Sequence, residues 1–373
     1  MMLDATSFRA KRWRRVDLAS CGFVLAFLIG WTTIPLLLRQ EPPIDNLEQL
    51  NWALHPALGY SKHPPLPTLI LWLCAQVAPA GLVLTYLLGA AQVLFTMIMA
   101  YWLGTATLDA RRGWLGALLI SAISYYTLRM HFYNHNTALL CANAAAMLCT
   151  WKAAHVGHWK WWTALGFCWA AGMLSKYQMA VPILCNLAFL GWALRRSPLT
   201  LLRGVTLAGL VSLALLVPHI VWLVQNHFPT FAYASDSLGA ALPPLARADS
   251  VLRFLASQAL RVIPAILLLV TMHRLAQRQT PALHPAPLKP AQAVAFWGIH
   301  ALGPLAVMSL MSAIGGVDLE MHWGTAFLWA LPMWYLATAH GRQVMRLPRS
   351  RLLLLLTFGQ ILLMSGKLLL PDL

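Results

Sequence analysis

The feature that most limits what this chain can become is the recurrence, along all 373 residues, of apolar runs about 20 residues long. Each run can cross a hydrocarbon core of ~30 Å as a helix rising 1.5 Å per residue. Lipid offers the backbone no hydrogen-bond partners, so runs of this kind must pair internally and form helices. Composition agrees: the chain is 59% hydrophobic and only 10% charged, against about 25% charged in an ordinary soluble domain. A soluble globular protein is therefore excluded. The expected fold class is all-α membrane: a polytopic bundle of about 11–12 transmembrane helices, one domain over residues 1–373, with no separate soluble domain.

The net charge of +16 invites a nucleic-acid reading, but the placement of the charges excludes it. Arg and Lys fall in short clusters between apolar spans, the distribution expected of cytoplasmic loops, and no basic face interleaved with aromatics appears. Cys21, Cys74, Cys141, Cys149, Cys168 and Cys185 all lie in apolar segments without CxxC spacing and read as small buried hydrophobes. The basic cluster Arg9, Lys11, Arg12, Arg14, Arg15 sets the N-terminus in the cytoplasm. The apolar run after it is too long for a cleaved signal and lacks a small-residue cleavage site, so it is expected to stay as the first span.

From that start the chain alternates. Leu18–Leu38 exits, and the loop of about residues 39–67 lies outside. Thr68–Ala78 is too short to cross and is expected to be a juxtamembrane helix. Leu82–Leu103 returns to Arg111-Arg112, Trp114–Leu128 exits, and Thr137–Trp151 comes back. Trp161–Leu174 and Met179–Leu194 form a short outward hairpin turning at SKYQ. Leu201–Val224 exits to an outer loop, Gln225–Ser250, and Leu252–Met272 returns to a Pro-rich cytoplasmic linker at about 273–291. Ala293–Ala313, His322–Ala339 and Leu352–Leu370 complete the path. This topology was not built on acidic residues, yet it sets Glu41, Asp45, Glu48, Asp236, Asp249, Asp318, Glu320 and Asp372 outside. The positive-inside rule does not sort acids, so their gathering points to a site on that face.

The outer loop EPPIDNLEQLNWALHPALGYSKHPPLP (Glu41 to Pro67) carries the strongest signals. Asp45 and Glu48 are three apart behind Pro42-Pro43, a spacing that sets both carboxylates on one helix face. Either they serve as a general base, or they are a helix-start acid and a solvated neighbour. Lys62 and His63 are held by Pro64-Pro65 in extended backbone. They suit a lipid phosphate, and equally a proline-capped helix entry with a snorkelling lysine. Lys176 and Arg261 are cations drawn towards membrane depth, where function is the default hypothesis. Glu320 and His322 are two candidate metal ligands, too few to define a site. No phosphate-cradling glycine loop, HExxH or GxSxG motif occurs.

These residues resemble the GT-C class of integral-membrane glycosyltransferases. The specific relatives are the dolichyl-phosphate-mannose protein mannosyltransferases and the bacterial aminoarabinose and galacturonic acid lipid A transferases. In that superfamily an acid opens the first outer loop, a Trp and a Gly-Tyr follow, and a His-Pro-Pro turn closes it. Here those are Asp45, Trp52, Gly59-Tyr60 and His63-Pro64-Pro65. GMLSKYQM (Gly172 to Met179), PHIVWLVQNHF (Pro218 to Phe228), FLASQ (Phe254 to Gln258) and HWGTAFLWALP (His322 to Pro332) extend the likeness in order.

The resemblance implies transfer of a sugar, with inversion, from a polyprenyl-phosphate donor to an envelope acceptor: a glycolipid such as lipid A, a polysaccharide or a protein. It sets the active site on the periplasmic side of a bacterial inner membrane. It makes Asp45 the catalytic base, with Glu48 the nearest second acid, since the family's paired Asp-Glu is Asp45-Asn46 here. Tyr60, Lys62, His63, Lys176, Arg253 and His322 would meet the donor phosphate. Asn136, where relatives often have an acid, and Glu320 would meet the sugar or acceptor. A divalent metal is compatible with these residues and not demanded by them. The rival expectation, a transporter or lipid flippase, calls for ionisable residues along a midplane path, whereas the acids here gather at one face.

Overall fold

The computed structural model describes residues 18–238, 241–279 and 291–370. The amino-terminal basic cluster, Asp372 and most of the expected linker at 273–291 lie outside the described residues. Among the described residues sixteen α-helices follow in order. They are α1 Leu18–Leu37, α2 Ile44–Ala53, α3 Leu66–Ala75, α4 Leu82–Thr107, α5 Ala110–Leu119, α6 Ser124–Leu128, α7 His135–Val156 and α8 Trp159–Met173. Then come α9 Ala180–Ala193, α10 Pro198–Gln225, α11 Pro229–Leu238, α12 Pro244–Gln277, α13 Ala291–Gly315, α14 Ala330–Ala337, α15 Ala339–Val344 and α16 Arg349–Leu369. Six of them (α1, α4, α10, α12, α13 and α16) are long and apolar enough to span a membrane. The chain is an all-α, multi-pass membrane protein.

The outward faces of the long helices carry exposed Leu25, Leu210, Leu267 and Leu362, side chains that lipid solvates. Inward, tryptophan indoles tie the bundle together. Trp31 Nε1 donates to Gln360 Oε1 at 2.8 Å, Trp114 Nε1 to Ser20 Oγ at 2.9 Å and Trp297 Nε1 to Thr107 Oγ1 at 3.0 Å. A buried indole N–H needs a partner, and each of these partners belongs to a different helix.

Two segments read as continuous spans are broken. The stretch Trp114–Leu128 divides into α5, a single 3-10 turn at Ile120–Ala122, and α6. The released Ser121 carbonyl accepts from Thr127 Oγ1 at 2.7 Å and Gln360 Nε2 at 2.6 Å. The stretch from His322 forms successive turns before α14 begins at Ala330. Its carbonyls are also satisfied by side chains: Met321 O by Arg261 at 2.7 Å and Gln258 at 2.8 Å, Trp323 O by Gln178 at 2.9 Å, Thr325 O by the Tyr126 hydroxyl, and Ala326 O by Asn143 at 3.2 Å. Irregular backbone is tolerated at membrane depth only where protein supplies its partners. Those donors come from distant parts of the chain, which is why an apolar run alone did not announce the breaks.

The outer loop is ordered by α2 and α3. Gly59 packs against the Trp222 ring so closely that an added Cβ would lie 2.3 Å from it. Gly89 on α4 lets the Met130 and Phe132 carbonyls approach to 2.5 and 2.6 Å of the same imagined atom. These two close approaches bring the α2 loop and the 130–134 turn onto the bundle.

Candidate active site

Helix α2 presents two faces. Asn46 and Gln49, three apart, are buried. Asn46 Nδ2 donates to Thr85 Oγ1 and to the His131 carbonyl, both at 2.8 Å, while its Oδ1 accepts from Tyr133 N at 3.0 Å. Gln49 Oε1 accepts from Thr68 Oγ1 at 2.8 Å. Every strong position of the Asn46 amide is used, so α2 is fixed to α4, α3 and the 131–133 turn. The other face carries Asp45 and Glu48, on one side as their spacing predicts.

Asp45 Oδ2 accepts from Asn134 Nδ2 at 2.6 Å. Asn134 is itself rigid, because its Oδ1 caps α7 by accepting from Asn136 N at 2.9 Å and Thr137 N at 3.1 Å. Among the described residues the Oδ1 oxygen of Asp45 has no hydrogen-bond partner. It is therefore oriented and still able to accept a proton. Glu48 pairs with Lys62, and the Lys62 ammonium also lies 5.9 Å from the centre of the Tyr233 ring on α11. The hydrogen bond that Lys62 donates to Glu48 holds the Lys62 pKa above its ordinary value, with desolvation opposing it.

The His63 and His135 rings lie against each other at a tilt of 32°, 3.6 Å between centres. Next to them Lys176, in the turn between α8 and α9, donates to Asn136 Oδ1 at 2.7 Å. Asn136 in turn contacts His135 Nε2 at 3.2 Å. Desolvation pulls Lys176 down to about 7, with the charges of Asp45 and Glu320 pulling it back up. Desolvation also takes His63 and His322 to about 3, helped in both by the Lys176 charge. Both rings are thus neutral at pH 7. They offer hydrogen bonds, and the positive charge comes from Lys62, from Lys176 below about pH 7 and, on the His322 side, from Arg129 and Arg261. Glu320 stands 4.0 Å from His322. Among the described residues no three His, Cys, Asp or Glu converge as metal ligands.

The structure thus brings together Asp45, Glu48, Lys62, His63, Asn136, Lys176, Glu320 and His322. Two expected residues are not brought in. The Tyr60 ring stacks on Trp52 at 4.9 Å, and its hydroxyl is taken up inside its own loop, accepting from Ala57 N at 3.1 Å. It braces the loop and does not face the cations. Arg253 is held at 2.7 Å by Asp249, one helical turn away, and at 3.6 Å by Asp318, so both of its partners are carboxylates outside the Asp45 group. Residues not singled out from the sequence are Arg129 and Tyr233. The last lies in what was read as loop 225–250, where α11 closes over Lys62 and His63.

Comparison with known proteins is consistent with this geometry. Residues 62–222 match the family Dolichyl-phosphate-mannose-protein mannosyltransferase. The chain is 25% identical over 228 residues to the lipopolysaccharide core galacturonosyltransferase RgtA of Rhizobium johnstonii, covering 58% of this chain and 43% of that protein. Its fold matches the crystal structure of ArnT from Cupriavidus metallidurans bound to undecaprenyl phosphate with TM-score 0.65 and 18% identity, over 94% of this chain and 64% of the other. The apo form of the same protein gives TM-score 0.63 at 17% identity. The chain spans less than two thirds of the length of each of these relatives. The likeness in sequence covers part of the chain, and the likeness in fold covers nearly all of it.

Proposed function

Starting from the GT-C fold of this chain, we propose that it transfers a sugar from a polyprenyl-phosphate donor to an envelope acceptor, with inversion at the anomeric carbon. The acceptor hydroxyl attacks that carbon, Asp45 takes the hydroxyl proton, and the bond to the donor phosphate breaks so that polyprenyl phosphate leaves. Lys62 and Lys176 stabilise the negative charge that develops on the leaving phosphate, while neutral His63 and His322 donate hydrogen bonds. Asn136 positions Lys176, and Glu320 faces the sugar or acceptor. The reaction takes place at the periplasmic face of the inner membrane, with the N-terminus in the cytoplasm and the whole chain acting as one domain. ArnT bound to undecaprenyl phosphate and the galacturonosyltransferase RgtA support the donor and acceptor classes.

The observation that carries the reading is the Asp45 carboxylate, fixed through one oxygen by Asn134, beside Lys176, which bonds an amide and, among the described residues, no carboxylate. The test compares cells carrying wild type or Asp45→Asn, each checked for equal protein in the membrane. Mass spectrometry of envelope glycolipids and glycoproteins should find one sugar addition with wild type and lose it in the variant. Undiminished addition by Asp45→Asn would overturn the reading.

A further inference from the structure

Helix α10 carries no member of the candidate site, yet its buried His219 reaches two segments that do. Nδ1 of the ring lies 2.6 Å from the Leu58 carbonyl of the outer loop, and Nε2 lies 2.7 Å from the Tyr177 hydroxyl. A carbonyl oxygen can only accept, so Nδ1 carries the proton, and Nε2 of the neutral ring accepts from Tyr177. The His219 ring runs parallel to Trp222, 6.0 Å between centres at 11°, and Trp222 is the ring on which Gly59 packs. Leu58 stands four residues before Lys62, and Tyr177 directly follows Lys176. The far end of the same loop is tied to the same turn by Leu66 N donating to Leu174 O at 2.9 Å. Lys62 and His63 therefore sit between two ties to the turn that holds Lys176. Tyr177 also stacks on Phe231 of α11, 5.2 Å between centres, and Thr230 beside it donates to the Tyr60 carbonyl at 3.4 Å. The loop, the turn and α11 meet around one imidazole.

We propose that His219 is a positioning residue for the polyprenyl-phosphate site, setting the spacing of Lys62 and His63 from Lys176 without touching substrate itself. It holds this role only if the two lysines meet the donor phosphate, as proposed above. Like charges repel, and a loop and a turn yield more readily than helices. The ammonium groups are oriented by Glu48 and Asn136, but the segments behind them are joined through His219 and the Leu66 amide. Of these two ties the imidazole is the one made by a side chain. Its two nitrogens supply a donor on one side and an acceptor on the other. An apolar residue at 219 would leave both the Leu58 carbonyl and the Tyr177 hydroxyl without that partner. A glutamine amide could still donate to the first and accept from the second.

The test titrates undecaprenyl phosphate into the full-length protein in detergent at pH 6, where Lys176 is charged, and reads Kd by native mass spectrometry. His219→Leu should weaken binding about ten-fold, the scale of two lost hydrogen bonds. His219→Gln should recover it to within about three-fold of wild type. Tyr177→Phe removes one of the two bonds, keeps the ring beside Phe231 and should cost about three-fold; it carries the test should His219→Leu fail to fold. In a Lys62→Gln/Lys176→Gln background, His219→Leu should weaken binding no further, because no cations remain to be placed. A merely structural residue would weaken binding there as well, so an equal loss in that background would overturn the proposal. Wild-type binding by folded His219→Leu and Tyr177→Phe, beside a weakened double-lysine variant, would overturn the role of His219 alone. Wild-type binding by the double-lysine variant would instead remove the two lysines from the phosphate site, and the role of His219 with them.

Discussion

Two groups of opposite charges stand at the same face of this molecule, and they are built differently. Around Asp45, carboxylates and lysines are held by buried amides: Asn46 and Gln49 fix α2, Asn134 grips Asp45, and Asn136 grips Lys176. Around Arg253, two carboxylates hold the arginine directly, with side-chain exposures of 54% for Arg253, 64% for Asp249 and 52% for Asp318. Exposed pairs of the second kind contribute 0.2–1 kcal/mol at most. Glu48 and Lys62 pair directly, but Asp45 and Lys176 are kept close without neutralising each other, since Asn134 and Asn136 are their bonding partners. Oriented but unquenched charge is what a transfer reaction needs, so the amides mark the site more clearly than the charges do.

The contrast can be broken most sharply at Asp45. Asp45→Asn should lower transfer on the order of 10²–10⁴-fold, the range of general-base catalysis, in turnover assays on reconstituted protein. Asn46→Ala comes next: it strands the Tyr133 N–H and the His131 carbonyl and should destabilise the fold by about 1–3 kcal/mol, seen as a lower melting temperature. An unchanged melting temperature would deny the amide its anchoring role.

A third effect concerns pH. Lys176, charged below about 7, should bind polyprenyl phosphate progressively less well as pH rises above that value, up to roughly ten-fold per unit. Lys176→Arg, charged throughout, should bind with no such decline; a wild-type affinity flat from pH 6 to 9 contradicts this. His63 and His322 have folded-state values of about 3 against the ordinary 6.5. Both prefer to stay neutral in the fold, so stability is fully present above 6.5 and falls as pH drops from there towards 3. His63→Gln should make acid unfolding shallower. The smallest effect is expected at Arg253: Arg253→Gln should leave transfer within about two-fold of wild type, as an exposed pair implies. A loss as deep as that of Asp45→Asn would put the second group into the active site as well.

Much of this was legible in one dimension because membranes impose simple rules. Apolar length announced α1, α4, α10, α12, α13 and α16, and proline punctuation with paired acids located the outer loop. Asn46 shows where reading stops. In sequence it is a departure from an expected second acid, and in the structure it is the bolt that holds α2, because its three partners, at positions 85, 131 and 133, are far along the chain.

Helix content, membrane class and the gathering of acids at one face were determined by the sequence, since local periodicity and desolvation of single segments decide them. The breaks at 120–122 and before Ala330, the inward turn of Tyr60, the pairing of Arg253 with Asp318 and the grip of Asn134 on Asp45 were decided by the tertiary structure alone. Each depends on a donor or acceptor supplied from another helix, and no pattern within one segment encodes which distant group will satisfy it.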